Sequence, residues 1–269
     1  MANTLVEDDE AFRLSDALVE KPGIWSQSDP APSDTPILSF VMFRAFHRAM
    51  GQYRSIVNLL KSGQWEDAVI LLRSLYDLNV NLSAIDSEET AKKFVHFGNF
   101  RQVRMQQRLL EDQVRDEKSK PVPMAQVIGK CEQKLADIIS QLDRDFGEFR
   151  NPNGKWRESW TGASVETLAQ RLAKETGGQP GQSDYYVFRI GSLFTHNDPG
   201  ALLLGLGEPE APDWNKFRAM LDDARRSGLR QFLREALICL VDIVGMAGNA
   251  IAAYEPQWFD DALRVLKKF

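Results

Sequence analysis

The 269-residue sequence is 43% hydrophobic, carries a formal net charge of −5 and contains two cysteines. So much apolar chain supports a sizeable core, while the acidic balance excludes general affinity for polyanions, which comes from Lys and Arg displacing counterions. Cys131 and Cys239 form no CxxC, the first ten residues lack a basic and apolar leader, and nothing approaches the ~18 uninterrupted apolar residues of a membrane span. These features predict a soluble cytoplasmic protein without membrane contact.

Residues 1–35 mix acids with Ser, Pro and Asp and read as a flexible N-terminal segment, apart from a short amphipathic turn around Phe12 to Leu18. Pro36 suits a helix first turn, and Phe43, Phe46, Met50, Tyr53, Val57 and Leu60 then recur at helical spacing up to Ser62-Gly63. A second helix over residues 65–84 is apolar on nearly every side, which predicts a central position. Asp86-Ser-Glu-Glu89 resembles a capping box that opens a third helix through residue 117, and Lys120-Pro-Val-Pro123 breaks it. A fourth helix follows over 124–149, then a loop rich in tryptophan, then a short helix from Ser164 to residue 176. The segment Tyr185 to His196 reads as helix with some strand propensity, stopped by Asp198-Pro199. A helical region over 214–254 is expected to break near Ser227-Gly228, with Pro256 closing it. The reading is an all-α bundle: one domain over 36–255 and a short amphipathic C-terminal helix over 256–269.

Tyr185, Arg189, Ser192 and His196 carry the chemistry most worth testing. At ~100° per residue they share a stripe within ~60°. A histidine near a helix C-terminus is favoured as imidazolium, suits proton transfer, and pairs naturally with an arginine that steadies a phosphate oxyanion. The same residues also fit a seam in which His196 caps carbonyls and Arg189 is solvated. On the second helix Arg73 and Asp77 stand four residues apart, so they form either a register-fixing ion pair or the support of a polar pocket. Trp156 and Trp160 stack on a base or a ring, or pin their loop onto the core. Arg44, His47 and Arg48, and the run Arg101, Arg104 and Arg108, read as solvated helix faces unless they line a nucleic acid. Gly205-Leu-Gly207 has no following GK[ST], the three histidines lack HExxH spacing, and no GxSxG occurs. No cofactor and no metal is expected.

Leu71-Leu-Arg-Ser-Leu-Tyr-Asp77, Trp160-Thr-Gly-Ala-Ser164, and Tyr185-Tyr with Ser192-x-x-x-His196 together resemble a widespread bacterial family of unknown function. That family shows an Arg-Ser-Leu-aromatic-Glu helix, a Trp-x-Gly loop and a Tyr-rich helix ending in Ser-x-x-x-His; here Asp77 replaces the Glu. The bundle and its Arg…His helix are in turn similar to the HEPN superfamily (higher eukaryotes and prokaryotes nucleotide-binding domains). Many of its members are metal-independent ribonucleases of toxin–antitoxin and anti-phage systems, with an Arg-x4-6-His site formed where two protomers meet. Arg189 and His196 fit that spacing, although Ile190 stands where active members usually carry a polar residue. The resemblance implies a homodimer acting on RNA or a nucleotide, with His196 and Arg189 catalytic and Ser192, Arg73, Asp77, Tyr185, Trp160 and Asn197 supporting them. An antitoxin or defence-complex partner is a further implication. The alternative is a non-catalytic helical module that binds a nucleotide or such a partner.

Overall fold

The computed structural model describes residues 12–18, 35–175, 214–251 and 256–267. Their regular elements are helices: α1 (Ile37–Lys61), α2 (Trp65–Ser83), α3 (Glu88–Ser119), α4 (Ala125–Asp145), α5 (Val165–Glu175), α6 (Trp214–Ile251) and α7 (Pro256–Leu266), with a 3₁₀ turn at Gly147–Phe149. The chain is all-α, as its periodicity requires. It divides into two compact units, one of residues 1–86 and 165–269, the other of 87–164. An apolar pattern reports which side of each helix is buried but not against which neighbour, so the expectation of one bundle over 36–255 carries no sign of this division.

In the first unit α2 packs against α1, α5 and α6, the central place its apolar circumference predicts. Ala68, Val69, Leu72, Leu75, Val80 and Leu82 are buried on it. Side-chain hydrogen bonds pin the register: Gln52 Nε2 donates to Ser74 Oγ (2.8 Å), Ser39 Oγ to the Ala250 carbonyl (2.9 Å), and Asn79 Nδ2 to Asp242 Oδ2 (3.1 Å). The buried stripe of α1 is Val41, Met42, Ala45, Ala49, Tyr53, Ile56, Val57 and Leu60. It is rotated from the expected one, so that Phe43, Phe46 and Met50 are only half-buried. Burial pushes the Tyr53 phenol above its ordinary range.

The expected break near Ser227-Gly228 does not occur, and α6 runs unbroken from Trp214 to Ile251. A mid-helix glycine costs only about 1 kcal/mol. The buried row Leu233, Ala236, Leu237, Leu240, Ile243, Val244 and Ala247 gives far more. Gly228 also makes room for a ring, since a Cβ there would come within 3.3 Å of Phe232.

Pro256 begins α7, where its fixed φ fits and its missing N–H costs nothing. The inward side of α7 is Trp258, Ala262 and Val265 at helical spacing, while Leu263 faces outward. This helix folds back on its own unit and also fastens the N-terminal segment. Residues 12–18 are helical, Leu18 is buried, Trp258 Nε1 donates to the Leu18 carbonyl (3.2 Å), and Lys61 pairs with Asp16. The short amphipathic turn expected around Phe12 to Leu18 is thus a helix, held by buried Leu18, the Trp258 hydrogen bond and the Lys61–Asp16 pair. Trp258→Phe keeps the ring but leaves that carbonyl buried and unpaired. The expected cost is about 1–3 kcal/mol in a urea melt, with faster amide exchange over residues 12–18.

The second unit is the α3–α4 pair and the loop after it. Ser87 caps α3: its Oγ accepts from the Thr90 N–H at 3.2 Å, and Thr90 Oγ1 accepts from the Ser87 N–H at 3.0 Å. The capping box thus starts one residue later than Asp86, with threonine in place of glutamate. At the far end Glu117 accepts from the Met124 N–H (3.0 Å) and pairs with Lys120, contacts that hold its carboxyl below the usual range. The core is aromatic. Phe100 meets Phe97, Phe146, Phe149 and Trp156 at centroid distances of 5.4, 5.9, 5.3 and 5.2 Å.

Candidate functional site

Of the expected site residues, Arg189, Ser192, His196, Tyr185 and Asn197 lie outside the described residues. Arg73 and Asp77 lie one turn apart on α2. Arg73 Nε donates to both carboxylate oxygens of Asp77, at 3.2 and 3.4 Å, and Asn81 Nδ2 donates to the Asp77 carbonyl at 2.7 Å. Their side chains are 16% and 34% exposed, so the pair straddles the edge of the core instead of standing free in water.

That position sets the electrostatics. Burial raises the Asp77 carboxyl above its ordinary value, and the Arg73 charge and hydrogen bond only partly oppose it. A raised folded-state value means that the folded chain binds this proton before the unfolded chain does. Asp77's contribution to stability is then full below the unfolded value of about 4 and is lost as pH rises through the folded value. Relative to Asp77→Asn, the wild type is expected to be most stable below about pH 4, to lose ground as pH rises through the folded value, and to hold a constant difference above it in parallel urea melts. A difference that stays flat throughout would contradict the assignment. Chemically, such a group holds a proton nearer neutrality than a solvated aspartate and orients a neighbouring imidazole or amide.

Trp160 belongs to the second unit and is buried, meeting the edge of Phe94 at a centroid distance of 5.6 Å. Its motif spacing has a local cause. The Gly162 N–H donates to the Ser159 carbonyl (3.1 Å), and Gly162 holds φ at +77°, where a Cβ is strained. Trp160 thus anchors the loop while Gly162 turns it. Among the described residues, no group of His, Cys, Asp or Glu is placed to hold a metal ion. His47 rests edge-on against Phe43 at 4.4 Å, and His96 Nε2 lies 3.1 Å from the Asp145 carbonyl and 3.3 Å from Glu148 Oε1.

Sequence reasoning passed over two pairings, although it did name Trp156 as a stacking candidate. Asn79 is buried and reaches Asp242 on α6, a long-range pairing with no local signal. Arg150 and Trp156 are brought face to face by a tight reversal at Asn151-Pro-Asn-Gly154, for which the sequence does carry a signal. Pro152 and Asn153 occupy the turn, the Gly154 N–H donates to the Asn151 carbonyl (2.8 Å), and Gly154 takes φ +78°. Arg150 and Trp156 form the bridge that closes it.

No helix among the described residues is long and apolar enough to cross a membrane. No curated protein and no solved structure matches the chain. A family model does match, over residues 39–211, which spans α1 through α5 and the segment carrying Tyr185 to His196. The chain, with its Arg73–Asp77 helix and its Trp160-Thr-Gly162 turn, belongs to this family of unknown function, DUF5677.

Proposed function

We propose that the protein is a HEPN-like, metal-independent endoribonuclease of a bacterial defence or stress response, working as a homodimer. The observation that carries the reading is Arg73–Asp77, a partly desolvated ion pair with a raised carboxyl on the central helix. It belongs to the same family-matched stretch as the Arg189-x6-His196 spacing. A charged pair at a core edge is costly to keep without a task, and orienting a catalytic group is such a task.

In the proposed reaction the ribose 2′-oxygen attacks the adjacent phosphorus. The 2′-O–P bond forms, the 5′-O–P bond breaks, and the products are a 2′,3′-cyclic phosphate and a 5′-hydroxyl. His196 removes the 2′-hydroxyl proton or delivers one to the leaving oxygen, and Arg189 neutralises charge on the phosphoryl oxygens. Ser192, Tyr185 and Asn197 belong to the same stretch of sequence and support the site in this reading, with Arg73 and Asp77 orienting it.

The test is induction of wild type and His196→Ala in bacteria at equal protein level, reading growth and total RNA. Growth arrest with fragmented RNA in the wild type alone is the expected result. Intact RNA in both, together with no cleavage by the purified protein, overturns the proposal and leaves a non-catalytic nucleotide- or partner-binding module.

A further inference from the structure

The second unit carries a cluster of cations that the Arg73–Asp77 site does not use. Between Glu89 and Glu111 the chain has no acidic residue, and Arg101, Arg104 and Arg108 fall within that interval. At about 100° per residue they lie on one side of α3. The reversal after α4 brings Arg150 to the same place. Its guanidinium stands 4.0 Å from the centre of the Trp156 ring, and that of Arg104 stands 5.7 Å from it. Trp156 is backed by buried Phe100, with which its ring makes a 5.2 Å contact, so the indole is held firmly.

The charges are only partly answered. Arg150 pairs with Asp143, and Arg104 donates to Gln107, which in turn donates to Glu111. Arg101 and Arg108 are exposed and have no hydrogen-bond or ion-pair partner among the described residues. Burial first, then the charges of Arg108, Arg150 and Arg101, hold the Arg104 guanidinium below its ordinary range, with Glu111 opposing. Like charges gathered around an aromatic ring weaken the fold unless an anion relieves them. Met105 and Leu109 follow beside Arg101 around α3 at 58% and 60% exposure, leaving apolar surface bare next to that arginine.

We propose that Arg101, Arg104, Arg108 and Arg150, grouped around Trp156, form a binding surface for single-stranded RNA. Guanidinium groups neutralise successive phosphates, and the Arg150–Trp156 stack with Met105 and Leu109 offers flat and apolar faces to unpaired bases. A bare acidic peptide would satisfy the charges but would leave the exposed apolar side chains of Met105 and Leu109 without a counterpart, so the combination favours a nucleic acid. With an overall charge of −5, such affinity must come from a local basic patch of this kind. The inference deepens the ribonuclease reading by naming where the strand is held.

The experiment is fluorescence anisotropy with a fluorescein-labelled 12-nucleotide RNA of mixed sequence, run in the His196→Ala background so that binding is read without cleavage. Arg101→Gln/Arg108→Gln is expected to weaken Kd at least ~10-fold at 0.1 M salt. It should also flatten the log Kd against log salt slope by about 1.4, near 0.7 for each phosphate left without its arginine. Lys130→Gln/Lys134→Gln, which removes the same charge from exposed positions on α4, should leave Kd within about twofold. Equal effects of the two double variants, an unchanged slope, or equally tight binding of a duplex of the same sequence each overturn the inference. So does displacement of the RNA by poly-glutamate at equal charge, which would make an acidic protein segment the occupant. Cleavage is followed separately in the wild-type background with the same RNA. Normal cleavage by the Arg101→Gln/Arg108→Gln protein sinks this inference and spares the nuclease reading. Tight, arginine-dependent binding without wild-type cleavage does the reverse.

Discussion

His196→Ala is expected to slow RNA cleavage by about 10²–10⁴-fold in the purified protein, the usual worth of a positioned general acid or base. The loss should fall on kcat, because the imidazole acts on a proton that moves only in the transition state. The limb of the pH–rate profile that belongs to the imidazole should vanish with it. Arg189→Ala is expected to cost a comparable factor with the pH profile retained, since its charge answers the phosphoryl oxygens and does not titrate. Cleavage should continue in excess EDTA, and the products should carry 2′,3′-cyclic phosphate ends. A His196→Ala protein that cleaves at the wild-type rate ends the mechanism. If instead its Tm falls by several degrees while binding is unchanged, His196 is a capping residue and the Ser192-x-x-x-His196 motif is architectural.

The second large effect is on the fold. Phe100 is fully buried and touches four other rings, so Phe100→Ala removes the keystone of the second unit. The expected loss is about 3–5 kcal/mol, a large fraction of the 5–15 kcal/mol that holds a typical domain together. Urea melts followed by tryptophan emission should show an earlier transition and a red-shifted native spectrum, because Trp156 loses its backing. Phe100→Leu should recover part of the midpoint, since leucine leaves a smaller cavity than alanine. If Phe100→Ala melts with the wild type, the aromatic cluster does not carry this unit.

The elements were more legible than their assembly. The helix expected over 65–84 is Trp65–Ser83, and the one opened by Ser87 ends at Ser119 where Pro121 and Pro123 follow. Caps, prolines and apolar period act within a few residues, which is the range a sequence pattern covers. Gly228 shows the limit: its local penalty is real, but α6 is held by a row of buried contacts to distant segments. The site divides in the same way. Arg73 and Asp77 touch because a helix places i and i+4 together, and that was readable. Arg150 and Trp156 meet across a reversal that Asn151-Pro-Asn-Gly154 signals, but Arg104 joins them only because α3 and α4 return the chain to itself, and no spacing along the sequence encodes that return. The arginine run therefore read as solvated surface until its aromatic partner was in place.

The division at residues 87–164 has a consequence for biosynthesis. The second unit comes from one continuous stretch, so it can close as soon as the ribosome has delivered it. The first unit is split around it: Ser39 finds its carbonyl 211 residues later, and Asn79 finds Asp242 163 residues later. At translation speeds of about 5–20 residues per second, the apolar sides of α1 and α2 wait on the order of ten seconds for α6. During that interval the nascent chain is half-folded, with its most hydrophobic helices uncovered. It is then a natural client for a holding chaperone, and slow codons between α5 and α6 would lengthen its exposure.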